Sequence, residues 1–202
     1  MNRATRVAAS ALGAYAGLLG IEHGVFEILQ GTGVPDAVLI SAIGPPCQAD
    51  AVWHACLPAM TVVPSFRATG VLAVVLGLVV IVWAAAFVHR RGGGWVLMAL
   101  SVALLLVGGG FVPPFVGLVA GAAGTQIDAA LPRWRQRQGS AVHFLATLWP
   151  WPLLVLLVWL PGAWLMGALF EDAMLALGSV LFFLLDLGLP LLTVLTGVAH
   201  DV

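Results

Sequence analysis

The chain has 202 residues with eight basic and nine acidic side chains, 61% hydrophobic residues and a mean hydropathy of +1.07. A soluble domain carries about 25% charged residues, so 8% cannot coat a water-facing surface, which excludes a soluble enzyme, a nucleic-acid binder and a disordered segment. The chain reads as an integral membrane protein, long enough for about five spans of roughly 20 apolar residues. All eight basic residues are Arg, and at a net charge of −1 they form no polybasic patch. The expected partner is therefore the lipid bilayer and not nucleic acid.

The first apolar run, 7–29, follows Arg3 and Arg6. Its Ala14-Tyr15-Ala16 triplet has the small-x-small form of a cleavage site, but the apolar stretch before it is short and continues well past it, so a retained first helix is expected. From 31 to 67 Gly, Pro, Asp and Cys accumulate, reading as a long external loop with short interfacial pieces at 37–43 and 51–60. Cys47 and Cys56 both fall in it. A disulfide between them would need an oxidising compartment, and two unpaired thiols are the alternative.

A second span is expected at 69–88, closed by His89, Arg90 and Arg91. The third apolar region, 95–123, would make about 43 Å of unbroken helix against a hydrocarbon core of about 30 Å. Its centre reads GGGFVPP at 108–114, where Gly weakens the helix and Pro removes a donor. With Arg3 and Arg6 in the cytoplasm, one span here would divide the Arg residues four and four. If both arms insert and the break is an apex, Arg133, Arg135 and Arg137 also fall inside, leaving only Arg67 outside. The positive-inside bias selects the broken hairpin. Non-helical backbone at such a depth requires surrounding protein or a water-filled cavity.

Residues 125–140, with Gln126, Asp128 and three Arg, read as a cytoplasmic loop. Trp149, Pro150, Trp151 and Pro152 read as an interfacial anchor leading into a span at 150–170. Glu171 and Asp172 mark an outside turn, and a last span at 173–199 returns inward. His89 and His143 fall at cytoplasmic boundaries, and His200 with Asp201 reads as a solvated tail. The expected fold is thus an all-α, single-domain, multi-pass protein of the cell (plasma) membrane: four transmembrane helices plus a Gly/Pro-broken hairpin, N-terminus cytoplasmic. The alternative is five transmembrane helices with the C-terminus outside. No internal repeat supports inverted-repeat transporter logic.

Three ionisable groups crowd the outer half of the first run, which reads GIEHGVFEILQG at 20–31. A charge in hydrocarbon costs about 2.5–3.5 kcal/mol even on the lenient insertion scale, so Glu22, His23 and Glu27 need partners or water. His23 and Glu27 are four apart and share a helix face, with Gln30 three further on; Glu22 points about 100° away. Gly20, Gly24 and Gly31 allow close approach of another helix. The column is open to three readings: a functional centre (proton relay, metal site or headgroup anchor), structural glue, or groups that reach the interface.

Metal binding is weakly signalled, since His23 and Glu27 supply only two ligands and His54 is the one further candidate. Asp186 is the second intramembrane acid, about 20 Å from the outer end of its helix against about 10 Å for Glu22, which leaves their contact open. No phosphate loop, His-Glu-x-x-His, Gly-x-Ser-x-Gly or Cys-x-x-Cys is present, so no catalytic residue or cofactor is assigned.

Four segments as a set (GIEHGxxExLQG at 20–31, PAMTxxP at 58–64, GGGFxPP at 108–114 and LWPW at 148–151) resemble a family of small prokaryotic polytopic membrane proteins. The resemblance implies a prokaryotic membrane protein of one domain and transfers no activity. The expected function is a membrane-embedded binding or transport component, with Glu22, His23 and Glu27 lining a polar pocket for a small ligand under the loop of Cys47 and Cys56. The alternatives are an accessory subunit whose column packs on another membrane protein, and an intramembrane enzyme acting on a lipid with His23 and Glu27 as acid/base pair.

Overall fold

The structure is a computed structural model that describes residues 1–41, 57–131, 134 and 139–202. Cys47, His54, Cys56, Arg133, Arg135 and Arg137 lie outside the described residues. The fold is an all-α membrane protein with four helices long and apolar enough to cross a bilayer: α1 (Arg3–Leu29), α2 (Phe66–Ala86), α6 (Trp151–Leu169) and the last helical run. That run comprises a π-helical segment (Phe182–Gly188) and α8 (Leu189–His200), and α7 (Glu171–Leu181) leads into it. Between α2 and α6 stand the two arms of the broken hairpin, α3 (Gly93–Leu106) and α4 (Val112–Gly124). A short helix, α5 (Ser140–Thr147), has no buried residue and precedes the cis Trp149–Pro150 peptide. The span expected at 150–170 begins after this helix, at Trp151.

The central helix is α1, and small residues set its closest contact. Its buried positions recur every three or four residues from Ala4 to Glu27, the spacing of one helix face. Against α2 the approach is backbone to backbone: Gly17 meets Gly77 and Gly24 meets Gly70, so an added Cβ at any of the four would fall 2.5–2.6 Å from the opposing carbonyl oxygen. Both pairs repeat at seven residues, as an antiparallel helix seam in lipid requires. α3 and α4 close in the same way, with Gly94 against the backbone of Gly121 and Gly124.

Proline explains both irregular helices. Pro113 and Pro114 open α4, where the missing donors are orphans anyway. In the last run Pro190 has no N–H for the carbonyl of Asp186 four residues earlier, so the α-ladder lapses and the π segment takes its place.

At one end of the bundle, β1 (Leu39–Ser41) and β2 (Pro58–Met60) pair antiparallel with Ile40 opposite Ala59. The strand continues onto the hairpin apex: Thr61 bridges Val107, Gly108 N donates to Met60 O at 2.8 Å, and Val62 N donates to Leu106 O at 3.0 Å. The interfacial pieces expected near 37–43 and 51–60 are therefore, where described, strand.

At the other end the chain's extremities are tied together. Asp201 accepts from Ala4 N at 3.1 Å and from Thr5 N and Thr5 Oγ1 at 2.7 Å each, and Asn2 Nδ2 donates to Gln126 O and Ala129 O. The expectation of a solvated tail is corrected: Asp201 caps α1, whose first amides have no partner within the helix and whose dipole favours a carboxylate. Residues from the two ends thus share one end of the bundle, where a five-span path would separate them. Asp201→Ala is expected to lower stability by about 1–2 kcal/mol, the worth of a good N-cap, as read by thermal unfolding in detergent. An unchanged midpoint would show that solvent caps α1 equally well.

Candidate intramembrane site

His23 and Glu27 share the buried face of α1, 7% and 0% exposed. The hairpin apex covers them, and its glycines make this geometrically feasible. Gly108 has φ +90° and Gly110 φ +75°, a region other residues rarely adopt, and there is no space for a side chain. A Cβ on Gly108 would meet the Glu27 carboxyl, and one on Gly110 would lie 2.6 Å from Cε1 and Nε2 of His23. The unwound backbone thus lies directly on the two titratable side chains, enclosed by protein as non-helical backbone in a membrane must be.

Besides His23 on the same face, oxygen-bearing groups stand near Glu27. Thr69, fully buried on α2, lies beside its carboxyl. The Thr69 hydroxyl donates its one proton to Val107 O at 2.7 Å and pairs with Thr61 Oγ1 at 2.6 Å. With that proton engaged, the Thr69 hydroxyl is a shared and weak partner for the Glu27 carboxyl. Sequence reading missed Thr61 and Thr69; Thr61 lies in the PAMTxxP segment, but nothing local marks either as a neighbour of Glu27. Gln30, expected to extend the column, bonds Ser41 O at 3.1 Å and holds β1 over the helix end. Of the glycines expected to admit a neighbour, Gly24 meets α2 and Gly20 meets Leu104, whereas Gly31 sits at φ +82° with nothing near it.

Glu22 separates from this group. It turns toward α6, where the Trp164 side chain hydrogen-bonds it and Trp164 stacks on Phe26 at 6.2 Å. Asp186, in the π segment, accepts from Trp159 Nε1 at 2.9 Å. Tyr15, 5% exposed, is within electrostatic range of both acids. It stands seven residues before Glu22 on the same helix face, a spacing that could have identified it. The expected single pocket is thus two polar clusters on different faces of α1. Among the described residues no three His, Cys, Asp or Glu side chains converge as a metal site would require.

Comparison with family models, curated proteins and solved structures found no match. The function must be argued from the site.

Proposed function

We propose that this protein is a membrane-embedded binding or transport component whose site, on α1 beneath the glycine apex, takes a small cation. The observation that carries this is Glu27: a fully buried carboxyl at membrane depth whose hydrogen-bonding neighbour among the described residues is the Thr69 hydroxyl, itself already shared with Val107 O and Thr61. A carboxylate so placed needs a counter-charge. The hydroxyls of Thr61 and Thr69 and the carbonyls of a discontinuous helix are the hard oxygen donors that cations prefer. The tight cover at Gly108 and Gly110 leaves little room for a lipid headgroup and weakens the lipid-enzyme alternative.

Thermal unfolding of the purified protein in lithium, sodium, potassium, magnesium or calcium chloride, against choline chloride at equal ionic strength, tests this. A bound ion at 100 times its Kd stabilises by about 2.7 kcal/mol, and Glu27→Gln is expected to abolish that gain. If no ion shifts the midpoint and Glu27→Gln is simply more stable than native, the site is packing. That is the second reading, an accessory subunit, which the interlocking of three chain segments at the apex supports.

For orientation, Arg3, Arg6, Arg90 and Arg91 gather at the end where Asp201 meets α1, while Arg67, Glu171 and Asp172 mark the other. This supports a multi-pass protein of a prokaryotic cell membrane with the Arg-rich end cytoplasmic and the 31–67 loop outside. After mild reduction of intact cells, a membrane-impermeant maleimide is expected to label Cys47 and Cys56. Labelling only after lysis would reverse the orientation.

A further inference from the structure

The end of the bundle opposite the glycine apex carries a groove of about 590 Å³, lined by Arg3, Val7, Trp149, His200 and Asp201 among others. Its size is that of a ligand site, and the cation reading makes no use of it. It forms where three parts of the chain meet: the start of α1, the end of α8 and the Trp149 turn that leads into α6. Glycine admits one of these contacts, since a Cβ on Gly197 would fall 3.3 Å from Cζ3 of Trp149. The indole therefore rests on α8 while α1 closes the other side.

The charges at this end do not balance. Arg3, Arg6, Arg90 and Arg91 stand there, and among the described residues the acids beside them are Asp128 and Asp201. Asp201 is already engaged: its carboxylate accepts from Ala4 N, Thr5 N and Thr5 Oγ1 and meets the positive end of the α1 dipole. Arg3 and His200 are exposed, and among the described residues neither side chain makes a hydrogen bond or ion pair. A guanidinium and an imidazole on one groove are both donors to a phosphate, the guanidinium in a two-pronged fork.

Polarity changes along the groove in the order a lipid requires. Arg3 and Val7 are four apart and share a face of α1, and Val7, 51% exposed, stands about 6 Å deeper. Trp149 is of the residue type that favours the headgroup level. A soluble anion would use only the Arg3 end, whereas a phospholipid uses both, with its phosphate at the rim and the start of an acyl chain over Val7. We propose that this groove binds the headgroup of an anionic phospholipid, its phosphate held by Arg3 and His200 beside Trp149. Basic pockets between spans at the membrane surface recognise such headgroups. Bound there, the phosphate bridges the start of α1 to the end of α8 alongside the Asp201 cap.

Purified protein in detergent, titrated with phosphatidylglycerol in ammonium acetate and followed by native mass spectrometry, tests the site. One phosphatidylglycerol is expected to bind saturably, roughly tenfold tighter than zwitterionic phosphatidylcholine. Arg3→Gln is expected to weaken it about tenfold and His200→Ala about threefold, in line with loss of a charge-assisted or a single donor. Arg91→Gln removes the same charge from the same end but lies outside the groove lining, and it is expected to bind as native does. Displacement by millimolar glycerol phosphate would overturn the lipid as occupant and put a soluble phosphate in its place. The proposal falls altogether if phosphatidylcholine binds equally well, or if Arg3→Gln and Arg91→Gln weaken binding alike, the mark of diffuse attraction. All three substituted side chains are exposed, and no arm involves Glu27, so this result and that of the cation site are read separately.

Discussion

Gly108→Ala is expected to be among the most damaging single-methyl substitutions in the chain, and far worse than Gly92→Ala. Both positions are left-handed, φ +90° and +77°, so both substitutions carry backbone strain of about 1–3 kcal/mol. Only Gly108 is also pressed on another group. Its added methyl would overlap the Glu27 carboxyl, whereas nothing lies within 4 Å at Gly92, and overpacking adds roughly 1–3 kcal/mol more. A double-mutant cycle isolates the cause. Glu27→Ala should return the overpacking part of the loss in Gly108→Ala, a coupling of about 0.5–3 kcal/mol, and leave Gly92→Ala unaffected. Additive losses would mean that the apex does not rest on Glu27.

The second large effect lies on the α1–α2 seam. Gly17→Ala and Gly77→Ala each direct a methyl at the opposing glycine carbonyl and at Ile81 or Ile21; the isoleucine can turn, but the backbone carbonyl cannot. Each is expected to cost about 1–3 kcal/mol, enough to reduce accumulation of the folded protein. Gly162→Ala on α6 and Gly178→Ala on α7 are the counterparts, with nothing within 4 Å of either. There a methyl removes only the conformational freedom of glycine and should stabilise by roughly 0.5–1 kcal/mol. Thermal midpoints of the four variants should thus split by sign, and a uniform loss would show that the seam is looser than described.

Much of the fold was legible in the sequence because lipid enforces it. Apolar runs near 20 residues gave four spans, and GGGFVPP within a run too long for one span gave the broken hairpin, with seven of eight Arg deciding the path. The site was legible as far as one helix can show it: four-residue spacing puts His23 and Glu27 on one face and turns Glu22 aside. Partners across the bundle were not legible. Nothing near position 27 says that Gly108, 81 residues away in sequence, supplies its cover, and nothing near Asp186 says that Trp159 is its donor. Asp201 was misread for the same reason, since a capping contact 197 residues long leaves no local trace. The π segment left one clue, Pro190 four residues after Asp186, which periodicity alone does not weigh.

The cap on α1 also orders events during synthesis. A chain emerges from its N-terminal side, so α1 enters the bilayer while the last helix is still unmade. Until Asp201 arrives, the amides of Ala4 and Thr5 can be satisfied only by water or lipid headgroups, which keeps the start of α1 at the membrane surface. α1 is therefore completed only once α8 is made, and the contact that completes it joins residues 197 positions apart.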